Sequence, residues 1–394
     1  MNILWTLLLL ALGTGSGETP ANHADGGRLP AIVQSTYQTF TANVAQGRKE
    51  DPLSPAEMVV PVQQEEAPKV KGIYVTAYSA GGSRLNTLID LLDKTELNSM
   101  VIDIKDDAGY ITYKTDNPEL QKLGKPQPFI RDIDGLMARL EKHEIYPIAR
   151  VVVFKDTILA KKNPELSFRN SDGTVWSNGN GDNFVNPYSK EVWDYNIEVA
   201  KEAAKHGFKE IQFDYVRFPE GFEKRADSLK YTKTELSRID AVAAFVQYAR
   251  EQLEPLGIKV SVDIFGYAAS VPAAEGIGQD FVKISNQVDI ICPMIYPSHY
   301  TTGWFNAKDP DKAPYQTIKG AVADTHKKLD PLGENKPIIR PWIQDFTASW
   351  LGKGHYTKYG KHEVEEQIRA LNEMKVDEYL LWNASNRYTT GVDY

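Results

Sequence analysis

The chain has 394 residues, of which 42% are hydrophobic and 25% are charged, so it can bury a substantial core and a wholly disordered chain is excluded. Its formal net charge is −8, and basic residues alternate with acidic ones instead of forming runs. A surface without a basic patch has no electrostatic means of holding a phosphate backbone, so we expect no nucleic-acid partner.

The first 69 residues differ in composition from the rest of the chain. An apolar run at residues 3–12, followed by small residues at 13–17, predicts a signal peptide over residues 1–17, with an uncleaved anchor as the alternative. Residues 18–69 are rich in Ala, Thr, Gln, Glu and Pro and predict a linker of low order. We therefore expect an exported protein, either secreted or associated with the cell envelope through its N-terminal segment.

From Val70 onward, short β-branched runs alternate with amphipathic helical stretches. The predicted strands are residues 72–79, 99–105, 146–154, 210–218, 259–266, 288–296, 338–346 and 378–383. The predicted helices are residues 84–94, 131–142, 190–206, 235–252, 279–286, 315–328 and 362–375. This alternation implies parallel strands, and eight of them predict an α/β fold, the (β/α)8 TIM barrel, over residues 70–394.

An open doubly wound sheet is the rival architecture. It normally carries a GxGxxG turn after its first strand, where glycine allows the backbone to approach a phosphate. The corresponding segment here, AGGSR at residues 80–84, lacks that spacing. The closed barrel is therefore favoured.

Polar residues at the C-terminal ends of the strands are the site candidates, because a barrel of this kind builds its active site there. In the fourth strand, period-two alternation places Gln212 and Asp214 on one face and Ile211 and Phe213 on the other. The same test on the other strands selects Asp103, Lys105, Asp107, Arg150, Ser261, Asp263, Arg340, Trp342, Gln344 and Asn383. Since single charges are costly to bury, we expect these groups to line one polar cavity.

Two alternatives stay open at this point. Arg150 and Arg340 can instead form internal ion pairs with Asp103, Asp214 or Asp263 that only tie the barrel together. A β-bulge in any strand would also shift the alternation and move a side chain to the other face.

Five segments of the chain resemble a known family. They are KGIYVTAY (residues 71–78), VIDIKDD (101–107), IQFDYVRFP (211–219), VDIFG (262–266) and PMIYP (293–297). They look like segments of the bacterial putative glycosyl hydrolase domain family, and the string at 211–219 is the most specific. The resemblance, which runs from about Val70 to the C-terminus, implies a TIM barrel that acts on carbohydrate.

The resemblance also implies roles for two carboxyls. In many retaining glycosidases of this architecture a fourth-strand Asp is the nucleophile, which corresponds by position to Asp214. A second carboxyl must lie about 5 Å away in retaining enzymes or about 6.5–9.5 Å away in inverting ones, and Asp263 on the neighbouring strand is the acid/base candidate. Arg150 and Arg217 would keep Asp214 ionised. Related barrels often place the acid/base as a Glu on strand five or an Asp on strand six, so Asp263 departs from that pattern.

A weaker resemblance links the chain to the family 18 chitinases. It rests on Met294-Ile-Tyr296 and Trp382, and it implies a substrate-assisted mechanism as a second possibility. The DxxDxDxE acid motif of those enzymes is absent around Asp214.

Aromatic residues near strand ends are the other sign of sugar binding, because flat rings stack on the apolar faces of pyranoses. The candidates are Tyr78, Tyr215, Tyr296, Trp304, Trp342 and Trp382. The predicted substrate-binding residues are Asp103, Lys105, Arg150, Tyr215, Arg217, Tyr296, Trp304, Trp342, Gln344, Trp382 and Asn383.

Other kinds of chemistry lack their motifs. The seven His residues show no HxH, HxxxH or HExxH spacing for a metal, the chain has no GxSxG, and two-carboxylate chemistry requires no cofactor. The single cysteine, Cys292, lies in an apolar run and is predicted to be a small buried hydrophobe. The rival from a different class is a non-catalytic glycan-binding barrel at the cell envelope, whose carboxylates only form hydrogen bonds.

Overall fold

The computed structural model describes residues 69–394. The predicted signal peptide (1–17) and all of the predicted linker (18–69) except Lys69 lie outside the described residues. Within residues 69–394, no helix is both long enough and apolar enough to cross a bilayer.

Eight parallel strands close into a barrel, which confirms the predicted (β/α)8 TIM-barrel fold. The strands in chain order are β1 (Lys71–Val75), β2 (Ser99–Lys105), β3 (Tyr110–Tyr113), β4 (Lys125–Ile130), β5 (Tyr146–Val152), β6 (Glu210–Asp214), β7 (Lys259–Phe265), β8 (Ile290–Met294), β9 (Ile338–Ile339), β10 (Trp342–Gln344) and β11 (Tyr379–Trp382). The barrel comprises β1, β2, β5, β6, β7, β8, β10 and β11, and β1 pairs with both β2 and β11, which closes the ring.

Helices on the outside connect the barrel strands. They are α1 (Ala77–Ala80), α2 (Arg84–Leu92), α3 (Pro118–Leu123), α4 (Ile133–Lys142), α5 (Thr157–Lys162), α6 (Lys190–Lys205), α7 (Arg238–Leu253), α8 (Phe281–Ser285), α9 (Pro314–Leu329) and α10 (Lys361–Glu373). Side-chain caps fix several of their starts: Ser189 and Ser237 accept backbone N–H groups at the first turns of α6 and α7. All seven predicted helices are present.

Three details of the sheet were not predicted. Between β2 and α4 the chain inserts β3, antiparallel to β2, and β4, parallel to β3, which extend the sheet outside the barrel. The two prolines and exposed polar side chains of β4 conceal it in the sequence, and such residues are typical of an edge strand. The predicted seventh strand is interrupted before β10 because Pro341 has no N–H to donate to a ladder.

The buried apolar residues form two clusters, one between barrel and helices and one inside the barrel. The inner cluster contains Tyr74, Val101, Ile148, Trp342 and other side chains that point toward the barrel axis. Cys292 belongs to it and is fully buried, which confirms the prediction for that residue.

Arg340 lies at the N-terminal end of the barrel, remote from the strand exits. Its Nη1 donates to both carboxylate oxygens of Glu210 at 2.8 Å, and its Nε donates to Glu378 at 2.7 Å. Arg340 is thus an internal ion-pair residue, as the alternative proposed, but the expected partners Asp103, Asp214 and Asp263 were wrong. Arg340 precedes Pro341 and β10, so it lies at the end of the barrel opposite to Asp103, Asp214 and Asp263.

Candidate active site

Asp214 and Asp263 come next to each other on adjacent parallel strands. The register pairs Phe213 of β6 with Val262 of β7, so the two aspartates occupy the next equivalent positions. Phe213 and Val262 belong to the cluster beneath the helices, and the alternation therefore turns both aspartates into the barrel. Neighbouring strands are about 4.8 Å apart, so the backbones that carry the two aspartates are one strand spacing apart. Both side chains are buried.

Arg150 of β5 gathers three carboxylates around one guanidinium. Its Nε and Nη2 donate to Asp214 Oδ2 at 3.0 and 2.6 Å, its Nη1 donates to Asp103 at 2.6 Å, and Nη2 also donates to Asp107 at 2.8 Å. The guanidinium is almost fully buried. The predicted contact between Arg150 and Asp214 is present, and Asp103 is brought into the same cluster.

Asp263 has a contrasting environment. Its Oδ1 accepts a hydrogen bond of 2.7 Å from the indole N–H of Trp342. Burial and then the neighbouring Asp214 raise the pKa of the Asp263 carboxyl well above its usual range. The two carboxyls therefore differ sharply: one is held by a guanidinium, and the other is favoured in its protonated form.

The two other carboxyls that Arg150 contacts, Asp103 and Asp107, have pKa values shifted in opposite directions. Burial raises the pKa of Asp103 to about 6, although Arg150 and the 2.6 Å hydrogen bond from the Tyr74 hydroxyl oppose this rise. At Asp107, burial acts in the same upward direction, but Arg150 and Lys155 outweigh it and lower the pKa to about 2. Asp107 is the carboxylate of this cluster that faces solvent, with 49% of its side chain exposed.

The backbone bends sharply immediately after Asp214. Tyr215 adopts a left-handed conformation with φ of 54°, and its N–H donates to Asp214 Oδ1 at 2.6 Å. A non-glycine residue in this region typically costs about 1 kcal/mol or more, and such strain concentrates at functional sites. The turn places the Tyr215 ring beside Lys155, whose Nζ lies 4.7 Å from the ring centroid.

Four aromatic rings surround the carboxyls on the side opposite β6. Tyr74 stacks on Trp382 at a centroid distance of 4.1 Å, Trp342 meets Trp382 edge-on at 5.4 Å, and Tyr296 lies 6.5 Å from Trp382. The predicted residues Tyr296, Trp342 and Trp382 are thus brought together. Tyr74 was missed, although alternation along β1 would have turned it inward with Gly72.

Lys105 was expected on the site face and lies on the other one. The register between β2 and β5 shifts between Asp103 and Lys105, and this bulge reverses the alternation. The fully buried Lys105 ammonium instead lies 2.7 Å from Asp156 and donates to the Val152 carbonyl at 2.6 Å. Lys105 therefore faces away from the barrel interior, contrary to the face that alternation predicted.

Arg217 also has other partners than the predicted one. It was expected to hold Asp214 ionised, but its guanidinium donates to the Phe218 carbonyl at 3.1 Å and to Glu220 at 3.2 Å. It lies against the rings of Tyr215 and Phe265 at 5.0 and 4.8 Å. Arg217 therefore packs against Tyr215 and does not contact Asp214 through a hydrogen bond.

Gln344 and Asn383, predicted to bind substrate, instead anchor the loops around the barrel exit. Gln344 Nε2 donates to Asp311 and to the Phe346 carbonyl, and its Oε1 accepts from the Ser298 N–H. Asn383 Nδ2 donates to the carbonyls of Asp345 and Arg387. The amide groups are occupied by these contacts.

Two of the predicted aromatic residues lie apart from the carboxyls. Trp304 packs on Tyr300 and Phe305 at 5.4 and 5.5 Å in the loop after β8. Tyr78 is exposed, and its ring lies tilted against Phe129 of β4 at 4.1 Å. Tyr78 belongs to α1 and Trp304 to the segment after β8, so both lie beyond the ends of the barrel strands.

No group of three or more His, Cys, Asp or Glu side chains able to hold a metal ion occurs in the part of the chain that the structure describes. The chemistry available at the exit of the barrel is that of the carboxyls, Arg150 and the aromatic rings.

A closed (β/α)8 barrel with paired carboxyls at its strand exits is the architecture of the TIM-barrel glycoside hydrolases. The sequence profile described as "Putative glycosyl hydrolase domain" matches residues 72–388, and the chain belongs to that family. The family resemblance found in the sequence is thereby confirmed.

Solved structures provide two further comparisons. The glycoside hydrolase domain of PgaB (BpsB) from Bordetella bronchiseptica matches 80% of this chain and 94% of its own, with a TM-score of 0.56 and 12% identity, which indicates a shared fold. A hypothetical protein from Ruminiclostridium thermocellum is 36% identical over 48% of this chain and 96% of its own, with a TM-score of 0.44. No curated protein matches the chain.

Proposed function

We propose that the protein is a glycoside hydrolase that uses Asp214 as nucleophile and Asp263 as acid/base. The observation that carries the proposal is the opposite environment of these two carboxyls on neighbouring strands. Arg150 pairs with Asp214, whereas burial and Asp214 itself raise the pKa of Asp263. A carboxyl whose pKa is raised by burial, next to a carboxyl that is paired with a guanidinium, is the arrangement expected of an acid and a nucleophile or base.

The proposed reaction begins with Asp263 as the proton donor. Asp263 gives its proton to the glycosidic oxygen as the bond to the anomeric carbon breaks, and Asp214 attacks that carbon or stabilises the oxocarbenium ion. Asp263, now a carboxylate, takes a proton from the incoming water, whose oxygen bonds to the anomeric carbon and releases Asp214. Arg150 holds Asp214 in position through two N–H groups, and burial together with Asp214 raises the pKa of Asp263, which favours its acid form.

The first experiment measures the release of reducing ends from four soluble polymers: hydroxyethyl cellulose, xylan, glycol chitin and pullulan. We expect Asp214→Asn and Asp263→Asn each to lower turnover by about 10²–10⁴-fold, the usual contribution of a positioned acid or base. The matched control is Asp90→Asn, which removes an exposed carboxylate from α2 and should leave turnover unchanged.

Turnover that survives Asp214→Asn in a folded protein would contradict the assignment of the nucleophile. Circular dichroism of each variant verifies that the fold is intact. If the parent protein cleaves none of the four polymers, the hydrolase proposal fails.

A non-catalytic glycan-binding barrel is the second candidate, and one observation favours it. Arg150 already satisfies Asp103, Asp107 and Asp214 together, and such a closed network resembles a structural ion cluster. Retention by a polymer that survives Asp214→Asn, combined with absence of turnover by the parent protein, would select this function.

A further inference from the structure

An exposed tryptophan stands at the end of a line of aromatic rings that begins beside the carboxyls. Buried Tyr296, whose pKa is raised by burial and then by Asp263 and Asp214, lies next to them. The Phe346 ring meets Tyr296 at 5.8 Å, and Trp350 stacks on Phe346 at 5.8 Å with an interplanar angle of 22°. The line therefore runs from the barrel interior to the surface, where Trp350 is 44% exposed.

The loop that carries Phe346 and Trp350 is held by hydrogen bonds on both sides. The Asp345 carboxylate accepts the N–H and the hydroxyl of Thr389 at 2.8 and 2.6 Å. Gln344 donates to the Phe346 carbonyl at 3.0 Å, and the Tyr359 N–H donates to the Thr347 hydroxyl at 3.1 Å. The two rings are thus presented in a fixed arrangement, which reduces the entropy lost when a ligand binds.

We propose that Trp350 and Phe346 form a distal sugar-binding subsite, so that the ligand is a polymeric glycan spanning several sugar units from the carboxyls to Trp350. A flat ring presented to solvent is suited to the apolar face of a pyranose, whose hydroxyls remain hydrated at the edge. The identity of the ligand as a glycan rests on the proposed function. The inference that the binding site extends from the carboxyls to the surface rests on the contacts among Tyr296, Phe346 and Trp350.

Other exposed apolar side chains do not share this continuity. Tyr78 contacts Phe129 of β4, outside the barrel. Leu256, 51% exposed, lies between α7 and β7, at the end of the barrel opposite the carboxyls. Leu256→Ala is therefore a matched control for the loss of an exposed apolar side chain.

The test is affinity electrophoresis of the full chain in native gels that contain hydroxyethyl cellulose, xylan, glycol chitin or pullulan. All samples carry Asp214→Asn to prevent turnover, and Arg150 then still pairs with Asp103 and Asp107. We expect Trp350→Ala to weaken retardation by about tenfold in the polymer that retards the parent, Trp350→Phe to retain most of it, and Leu256→Ala to leave it unchanged.

The inference would be overturned if Trp350→Ala left the retardation unchanged. It would also be overturned if the Asp214→Asn protein with Trp350 intact were not retarded by any of the four polymers. The outcome is separable from that of the proposed function. If turnover depends on Asp214 but retardation does not depend on Trp350, only the subsite proposal is contradicted. If retardation depends on Trp350 but the unsubstituted protein shows no turnover, only the hydrolase proposal is contradicted.

Discussion

Two of the buried arginines, Arg150 and Arg340, lie at opposite ends of the barrel and have different surroundings. Arg340 at the N-terminal end is matched to two carboxylates, Glu210 and Glu378, which it binds through three hydrogen bonds. Arg150 at the C-terminal end faces three carboxylates, and a fourth carboxyl, Asp263, lies close by and is bound by a tryptophan instead.

The same residue types thus have different electrostatic surroundings at the two ends of the barrel. At the N-terminal end, the Arg340 guanidinium donates hydrogen bonds to both neighbouring carboxylates, as expected of a structural ion pair. The cluster around Arg150 crowds carboxyls together, so burial and repulsion alter their pKa values. This cluster lies at the C-terminal end of the strands, where barrels of this kind build their active sites.

Of the variants that test the contrast between the Arg340 and Arg150 clusters, we expect Arg340→Met to change stability most. It leaves Glu210 and Glu378 buried without a cation, so the free energy of unfolding should fall by about 3–5 kcal/mol. Urea titration measures this loss. The control is Arg369→Met, which breaks exposed pairs on α10 and should cost less than about 1 kcal/mol. Equal losses in the two variants would contradict a structural role for Arg340.

The second prediction concerns pH and Asp103. Its pKa in the folded state, about 6, exceeds the value of about 3.9 for an unfolded chain, so the folded state binds this proton more tightly. The contribution of Asp103 to stability is therefore fully present below about pH 4 and is lost as the pH rises toward 6, by an amount on the order of 3 kcal/mol. Asp103→Asn should flatten the fall in unfolding free energy over this window, whereas Asp90→Asn should leave it in place. Parallel curves for Asp103→Asn and the parent protein would disprove the shift.

The smallest effect is expected from Asp263→Asn, and its sign is the informative part. The asparagine keeps an acceptor for the Trp342 N–H and removes the carboxyl that burial and Asp214 disfavour in its charged form. We expect the free energy of unfolding at neutral pH to rise by about 0.5–2 kcal/mol, because the substitution removes a carboxyl whose charged form is disfavoured in the folded state. Thermal unfolding would detect the rise. A marked destabilisation would place Asp263 with Arg340 among the structural residues.

Much of the fold was predictable from the chain. Alternating β-branched and amphipathic segments gave the eight barrel strands and seven of the helices, because burial of one face imposes a period on the sequence. The insertion of β3 and β4 was missed, since an exposed edge strand with two prolines carries no such period. Arg340 was assigned to the wrong end because the break at Pro341 was not recognised.

The candidate site was predictable only in part. Asp214, Asp263, Arg150 and Asp103 follow from alternation, and the structure brings them to one end of the barrel. Lys105 was misplaced by a bulge, and a bulge depends on the neighbouring strand. Tyr74 and Lys155 were missed. The hydrogen bonds of Gln344 to Ser298 and of Asn383 to Asp345 were not foreseen, because these partners are distant in the sequence.

The sequence by itself determined the barrel and the polar strand ends, because both follow from local periodicity and from short strings such as IQFDYVRFP. Only the tertiary structure decided which carboxyl pairs with a guanidinium, which one lies beside an indole, and which tryptophan is presented to solvent. Those outcomes depend on register between strands and on contacts across hundreds of residues, as between Tyr74 and Trp382. A local pattern cannot contain them, because the free energy of a buried charge is set by its neighbours in space.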